Sequence, residues 1–178
     1  ARRKLLPCYE KPDETRMACV RHAVGAVHER GWAHHIERLM VHANLALLAG
    51  VKPRDFLDWM ERSFVDAAEW VMVPNVIGMG VHADGGRMAS KPYASGGAYL
   101  NRMSDHCGGC AYDPKKRTGD EACPFTALYW HFVDRHRERL EKNPRTAMAV
   151  RSLGKLKDRK ETLENAERIL RALSRGTI

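Results

Sequence analysis

No run of eighteen apolar residues occurs in this 178-residue chain, so no transmembrane helix and no membrane partner are expected. The opening residues, Ala1-Arg2-Arg3-Lys4-Leu5-Leu6-Pro7, are basic but lack the apolar stretch of a signal peptide. Period-two alternation is missing, so no strand is expected, and no segment repeats. Cysteine is scarce at five, an odd number. Four of the five are placed like ligands, which argues against a secreted disulfide framework. A cytoplasmic or other reducing compartment is expected, an organelle matrix included, with Cys8 as the spare thiol. What the chain does have is a globular composition, 44% hydrophobic and 29% charged, at a length that suits about one domain with a real core. Its net charge of +8 favours a polyanionic partner, most simply nucleic acid.

The cysteines carry the most specific signal. Cys107-Gly108-Gly109-Cys110 puts two thiols on one tight turn, twelve residues precede Cys123-Pro124, and Cys19 lies far upstream. A cysteine followed by proline suits a ligand at a helix start, because proline is at home in the first helical turn. Three clustered thiols and one distant one complete a four-thiolate site for either zinc or an iron–sulfur cluster. Such a site would tie Cys19 to a turn 88 residues later. His106, beside Cys107, is a candidate neighbour of that site.

The remaining pattern is helical and predicts an all-α fold. Helices are expected from Glu14 to Arg30 with Gly31 as the stop, from His34 to Leu48 closed by Gly50, and from Pro53 to Arg62 or beyond. From Pro74 to Gly97 the texture changes: nine of 24 residues are Gly, Pro or Asp, which predicts a long functional loop wrapped around a site. A short helix over Tyr99 to His106 leads into the cysteine turn, and Asp113 to Gly119 forms a basic loop. A further helix runs from Cys123-Pro124 to about Glu141, and Asn143-Pro144 starts the next. Lys157 to Ser174 is strongly charged, with Leu163, Ala166, Ile169, Leu170 and Leu173 as its apolar stripe, and the terminal segment Lys155 to Arg175 suits a partner-binding helix.

Several long words can be set beside the cysteines: Met17-Ala18-Cys19, Trp32-Ala33-His34-His35-Ile36-Glu37-Arg38-Leu39-Met40-Val41, Asp66-Ala67-Ala68-Glu69-Trp70-Val71 and Pro74-Asn75-Val76-Ile77-Gly78-Met79. Ala83-Asp84-Gly85-Gly86, Lys91-Pro92-Tyr93, Asn101-Arg102-Met103-Ser104, Ala122-Cys123-Pro124-Phe125 and Leu128-Tyr129-Trp130 follow in order. With them the chain resembles the C-terminal part of the bacterial iron–sulfur photolyase/cryptochrome family, in its prokaryotic (6-4) photolyase class, over roughly Arg16 to Arg145. The resemblance implies an all-α flavin-binding region whose [4Fe-4S] cluster is held by Cys19, Cys107, Cys110 and Cys123. The chain as a whole is read as a helical domain over 1–154, with the iron–sulfur site, and a charged C-terminal helix over 155–178.

The same resemblance assigns roles around FAD. His35 matches the histidine implicated in proton transfer during (6-4) photoproduct repair, and His34 is its neighbour. Arg38 and Asp66 would pair beside the isoalloxazine ring, and Asn44 and Asn75 would offer polar contacts to the cofactor. Some positions depart from the family. Met72 stands where an acidic residue usually faces the flavin N5, Met60 follows Trp59 where an aromatic is usual, and Lys11 falls near an expected relay aromatic. Two functions are therefore expected. The first is part of a light-dependent (6-4) DNA repair enzyme or photoreceptor, with the rest supplied by a companion chain or removed. The second is a non-catalytic, flavin-free iron–sulfur module that binds nucleic acid or a larger assembly.

Overall fold

The computed structural model describes residues 2–178 and is all-α, with no strand among the described residues. Single-turn 3-10 helices at Pro7–Tyr9 and Pro12–Glu14 precede α1 (Ala18–Arg30). The first long helix thus starts four residues later than its apolar spacing predicts, because Thr15 is extended and turns the chain. The Thr15 hydroxyl donates to the Ile178 carbonyl at 2.7 Å and its carbonyl accepts from Arg21, tying this corner to the end of the described chain.

Helix α2 (35–49) opens with the turn His35–Glu37, widens into a π-helical stretch at Arg38–Ala43 and closes as α-helix over Asn44–Ala49. Helices α1 and α2 both end where glycine predicts. Gly31 (φ 62°) and Gly50 (φ 71°) adopt the left-handed conformation that ends a helix and that other residues adopt only with strain. Helix α3 (Pro53–Ser63) has proline in its first turn, as expected.

The predicted loop from Pro74 to Gly97 is in part a helix. Helix α4 starts at Glu69–Met72 and continues as a π-helical stretch over Val73–Gly80. Pro74 sits within the first two residues of that stretch, where its missing N–H is tolerated. Glycine and proline content therefore concealed a helix, and the irregular segment is confined to residues 81–96.

The rest follows as α5 (Gly97–Met103), a 3-10 turn at His106–Gly109, α6 (Pro124–Arg135), α7 (Arg137–Glu141), α8 (Ala147–Gly154) and α9 (Arg159–Arg175). The helix expected to run from Pro124 to Glu141 is broken at His136, whose φ of −110° leaves the helical region.

One core joins these elements. At its centre Trp59 and Phe56 stack (5.9 Å), Tyr9 packs on Trp59 (4.8 Å), and the Trp59 indole donates to the Tyr9 carbonyl at 3.2 Å. The apolar stripe of α9 is part of the same core, with Ala166, Ile169, Leu170 and Leu173 buried against α6. Its outer edge is clamped by Arg117–Asp158, Arg159–Asp134 and Arg168–Asp120 ion pairs. Two of the three cations of the basic loop are thus used inside the chain, since Lys116 also pairs with Glu121. No helix among the described residues is long and apolar enough to cross a membrane.

Candidate cluster and cofactor sites

Four thiols converge in one recess. Cys19 enters from the first turn of α1, Cys107 and Cys110 from the 3-10 turn after α5, and Cys123 from the N-cap of α6, with Met17, Leu100, Tyr112 and Phe125 as apolar surroundings. Burial pushes the Cys19 thiol far up, and the neighbouring Cys123, Cys110 and Cys107 sulfurs add to the shift. Burial likewise raises Cys123 to about 11, against N–H donors from Phe125 and Thr126 that favour the thiolate, and raises Cys107. A recess in which Cys19 and Cys123 are buried and Cys107 and Cys110 half-buried holds four neighbouring thiolates only with a cationic centre between them. The donor set therefore fits a soft metal centre. Cys8 lies elsewhere, buried within the first 3-10 turn, and burial lifts it to about 12.

Close packing supports the recess on one side. A Cβ on Gly97 would stand 2.7 Å from the Cys123 sulfur, 2.8 Å from the Thr126 hydroxyl and 3.2 Å from the Pro114 backbone. Thr126 holds this junction by accepting from the Gly97 N–H (3.0 Å) and donating to the Pro114 carbonyl (2.8 Å). The sequence signal for Thr126 is its position three residues after Cys123, on the same helical face. By contrast, Gly108 and Gly109 form an ordinary 3-10 turn outside the left-handed region, with open space where a Cβ would go. Their freedom of conformation is not what shapes the Cys-x-x-Cys turn. Gly97→Ala should lower stability by roughly 1–3 kcal/mol, the usual cost of overpacking. It should also lower the iron bound per chain. Thermal melts and iron assay of the variant check both.

The second site is a cleft of about 160 Å³ between the π-helical stretches of α2 and α4, floored by α3. His35, Arg38 and Asn75 line it, with Leu39, Phe56, Met60 and Met72 among its apolar walls. Single π-helical turns recur at functional sites because they rotate side chains out of the regular helical register. Gly80 lets the walls approach: a Cβ there would lie 3.0 Å from the Ala43 Cβ. Arg38 is fixed on three sides. Its Nη1 donates to Asp66 (2.9 Å), its Nε donates to the Ala33 carbonyl (2.8 Å), and its guanidinium lies 4.3 Å from the Phe64 ring centre.

The other residues expected around the cofactor divide. Asn75 donates from its amide to the Val71 carbonyl (2.8 Å) and keeps its oxygen free at the cleft. Asn44 does not line the cleft. It is fully buried and clamps Ser95, accepting from the Ser95 N–H (3.1 Å) and donating to the Ser95 carbonyl (3.0 Å). The adjacent histidines separate as helical geometry demands. His35 turns into the cleft, while His34 caps α2, its Nδ1 accepting from the Ile36 N–H (3.2 Å), and faces a groove beside Tyr99 and His106.

No family model matches the chain. It is 51% identical over 142 residues to the (6-4) photolyase of Agrobacterium fabrum (strain C58 / ATCC 33970), a match covering 80% of this chain and 28% of that protein. Over 94 residues it is 30% identical to the uncharacterized protein R855 of Acanthamoeba polyphaga mimivirus, covering 53% of this chain and 69% of that one. The chain thus spans little more than a quarter of the photolyase it matches.

Proposed function

Because the chain belongs to the prokaryotic (6-4) photolyase family, we propose that it supplies a [4Fe-4S] site and one wall of a flavin pocket to a light-dependent (6-4) DNA repair enzyme or photoreceptor. The observation that carries this reading is the convergence of Cys19, Cys107, Cys110 and Cys123 from distant segments on one recess. Four thiols from three segments suit a cluster, which places each thiolate on a different iron.

His35, Arg38 and Asn75 would hold the ring end of a flavin at the cleft, and a reduced flavin there would supply the electron that light drives into a lesion. Arg38, held by Asp66 and the Ala33 carbonyl, places a fixed positive charge at the cleft, where it favours negative charge on a reduced ring. His35, at the exposed rim, is in position to hand a proton to a substrate outside the cleft. Nucleic acid would be met by Arg137, Arg139 and Lys142, which line one surface recess and are in no ion pair among the described residues. Their phosphate contacts would be salt-dependent and sequence-independent.

One observation favours the second reading, a flavin-free structural module. Met72 is buried in the cleft wall, and a thioether neither donates nor relays a proton. Size also limits the isolated chain, because about 160 Å³ is less than the roughly 300–1,000 Å³ of ordinary cofactor pockets. The expected outcome of titrating FAD against the purified chain is therefore weak binding. Stoichiometric binding at micromolar concentration would overturn that expectation.

Co-expression with the Agrobacterium photolyase deleted of its matching region separates the two readings. The repair reading expects a complex that retains FAD, loses it on Arg38→Ala, and reverses (6-4) photoproducts under blue light. A complex, or an unpartnered chain, that keeps iron but never acquires flavin or repair supports the structural module.

A further inference from the structure

Beside the thiol recess lies a second group of ligand-type side chains that neither cofactor uses. His22 projects from α1, three residues beyond Cys19, Glu37 from the first turn of α2, and His106 from the 3-10 turn just before Cys107. One ligand atom from each lies within 4.8 Å of those of the other two. The His22 and His106 rings face each other with centres 4.7 Å apart, and His22 Nε2 is 4.0 Å from Glu37 Oε1. That separation is too long for a hydrogen bond, so Glu37 Oε1 and His22 Nε2 do not satisfy each other.

From this geometry we propose that His22, Glu37 and His106 form a binding site for a divalent cation of the zinc type. Two imidazoles and a carboxylate are the donor set of open three-ligand zinc sites, in which water takes the fourth position. Ligand atoms on one tetrahedral zinc lie about 3.4 Å apart, from bonds of about 2.1 Å. The observed span closes by turning His22, whose side chain is 57% exposed and free to move.

Glu37 is already aimed. Its Oε2 accepts the His34 backbone N–H at 2.9 Å, which leaves Oε1 toward the histidines, and such outer hydrogen bonds fix the direction of a ligating carboxylate. The nitrogen and oxygen donors separate this site chemically from the thiol recess, although His106 borders both. An ion here joins α1 and the cysteine turn to α2, the helix that carries His35 and Arg38. It would stiffen the junction between the recess and the cleft, and the proposal stands whether or not flavin binds.

The test is anaerobic titration of the chelator-washed, iron-loaded full chain with Co²⁺, followed by competition with Zn²⁺. One equivalent should bind with weak visible bands and without the intense near-ultraviolet bands of cobalt–thiolate bonds. His22→Ala and Glu37→Gln should each weaken binding about tenfold or more, with iron content unchanged. His22 is exposed and glutamine can keep the cap, so both variants should fold. Zn²⁺ should raise the thermal midpoint of the parent chain and not that of the variants. Cobalt–thiolate bands, no binding at millimolar Co²⁺, or equal affinity in His22→Ala would each overturn the proposal.

Discussion

Replacing Cys110 with serine should strip iron from the chain and lower its thermal midpoint by more than about 10 °C. Metal-site binding energy is folding energy when the site does not exist in the unfolded chain. For a domain of this size each kcal/mol is worth about 2–4 °C, so losing several kcal/mol gives a shift of that order. The location makes the effect large. Around the recess the segment before α1 meets the cysteine turn through the Arg16 carbonyl, 3.9 Å from the Cys110 sulfur, and the Arg16 guanidinium, 5.4 Å from the Tyr112 ring centre, while α1 itself meets it through the His22 and His106 rings, 4.7 Å apart. Without a metal centre these would have to hold two segments 88 residues apart. Cys8→Ser is the control, because Cys8 is buried outside the recess and its loss should leave the iron content unchanged. A Cys110→Ser chain that binds no iron yet melts where the parent does would rule out the stapling role.

Acidification should destabilise the chain well before its carboxylates titrate. His42 is fully buried between Trp59 and Phe64, and neither ring nitrogen has a hydrogen-bond partner. Burial first, and then the Arg38 charge, hold its pKa at about 3. In the unfolded chain the same group takes up a proton near pH 6.5. Between these values the unfolded state binds more protons, so stability is fully present above about pH 6.5 and falls as pH drops toward 3. The slope approaches about 1.4 kcal/mol per pH unit. His136 acts in the same direction, lowered to about 4 by burial and by Arg135, with Arg139 and His131 adding to the effect. Urea midpoints of parent and His42→Phe, measured from pH 7.5 to 5 at equal iron loading, isolate the first group. The variant should be at least as stable at pH 7.5, since an unsatisfied polar group is gone, and should lose much of the acid slope. Identical slopes would show that His42 is not the titrating group.

What was legible in the sequence was legible for local reasons. Gly31 and Gly50 end helices because left-handed caps favour glycine, and Pro53 and Pro124 begin them because the first turn needs no N–H. The cysteine spacing and the paired words around Arg38 and Asp66 pointed to groups that the fold brings together. What was not legible depends on packing. The π-helical stretch at Val73–Gly80 reads as a loop by composition, since proline and glycine are tolerated where two helices close on a cleft. Arg117 reads as free surface charge, but its partner Asp158 lies 41 residues away. His22, Glu37 and His106 meet across three elements, and no sequence spacing brings them together. Asn44 was placed by resemblance near the cofactor, whereas its amide is spent on Ser95.

The most direct measurement of the central claim is the iron and acid-labile sulfide content of anaerobically purified chain, read with its absorption spectrum. The expected result is about four of each per chain and a broad shoulder near ~410 nm, as for a cubane cluster on four thiolates. Iron and shoulder should both be lost when any one of Cys19, Cys107, Cys110 or Cys123 is replaced. A single zinc per chain with no sulfide, or a chain that folds fully without iron, would contradict it.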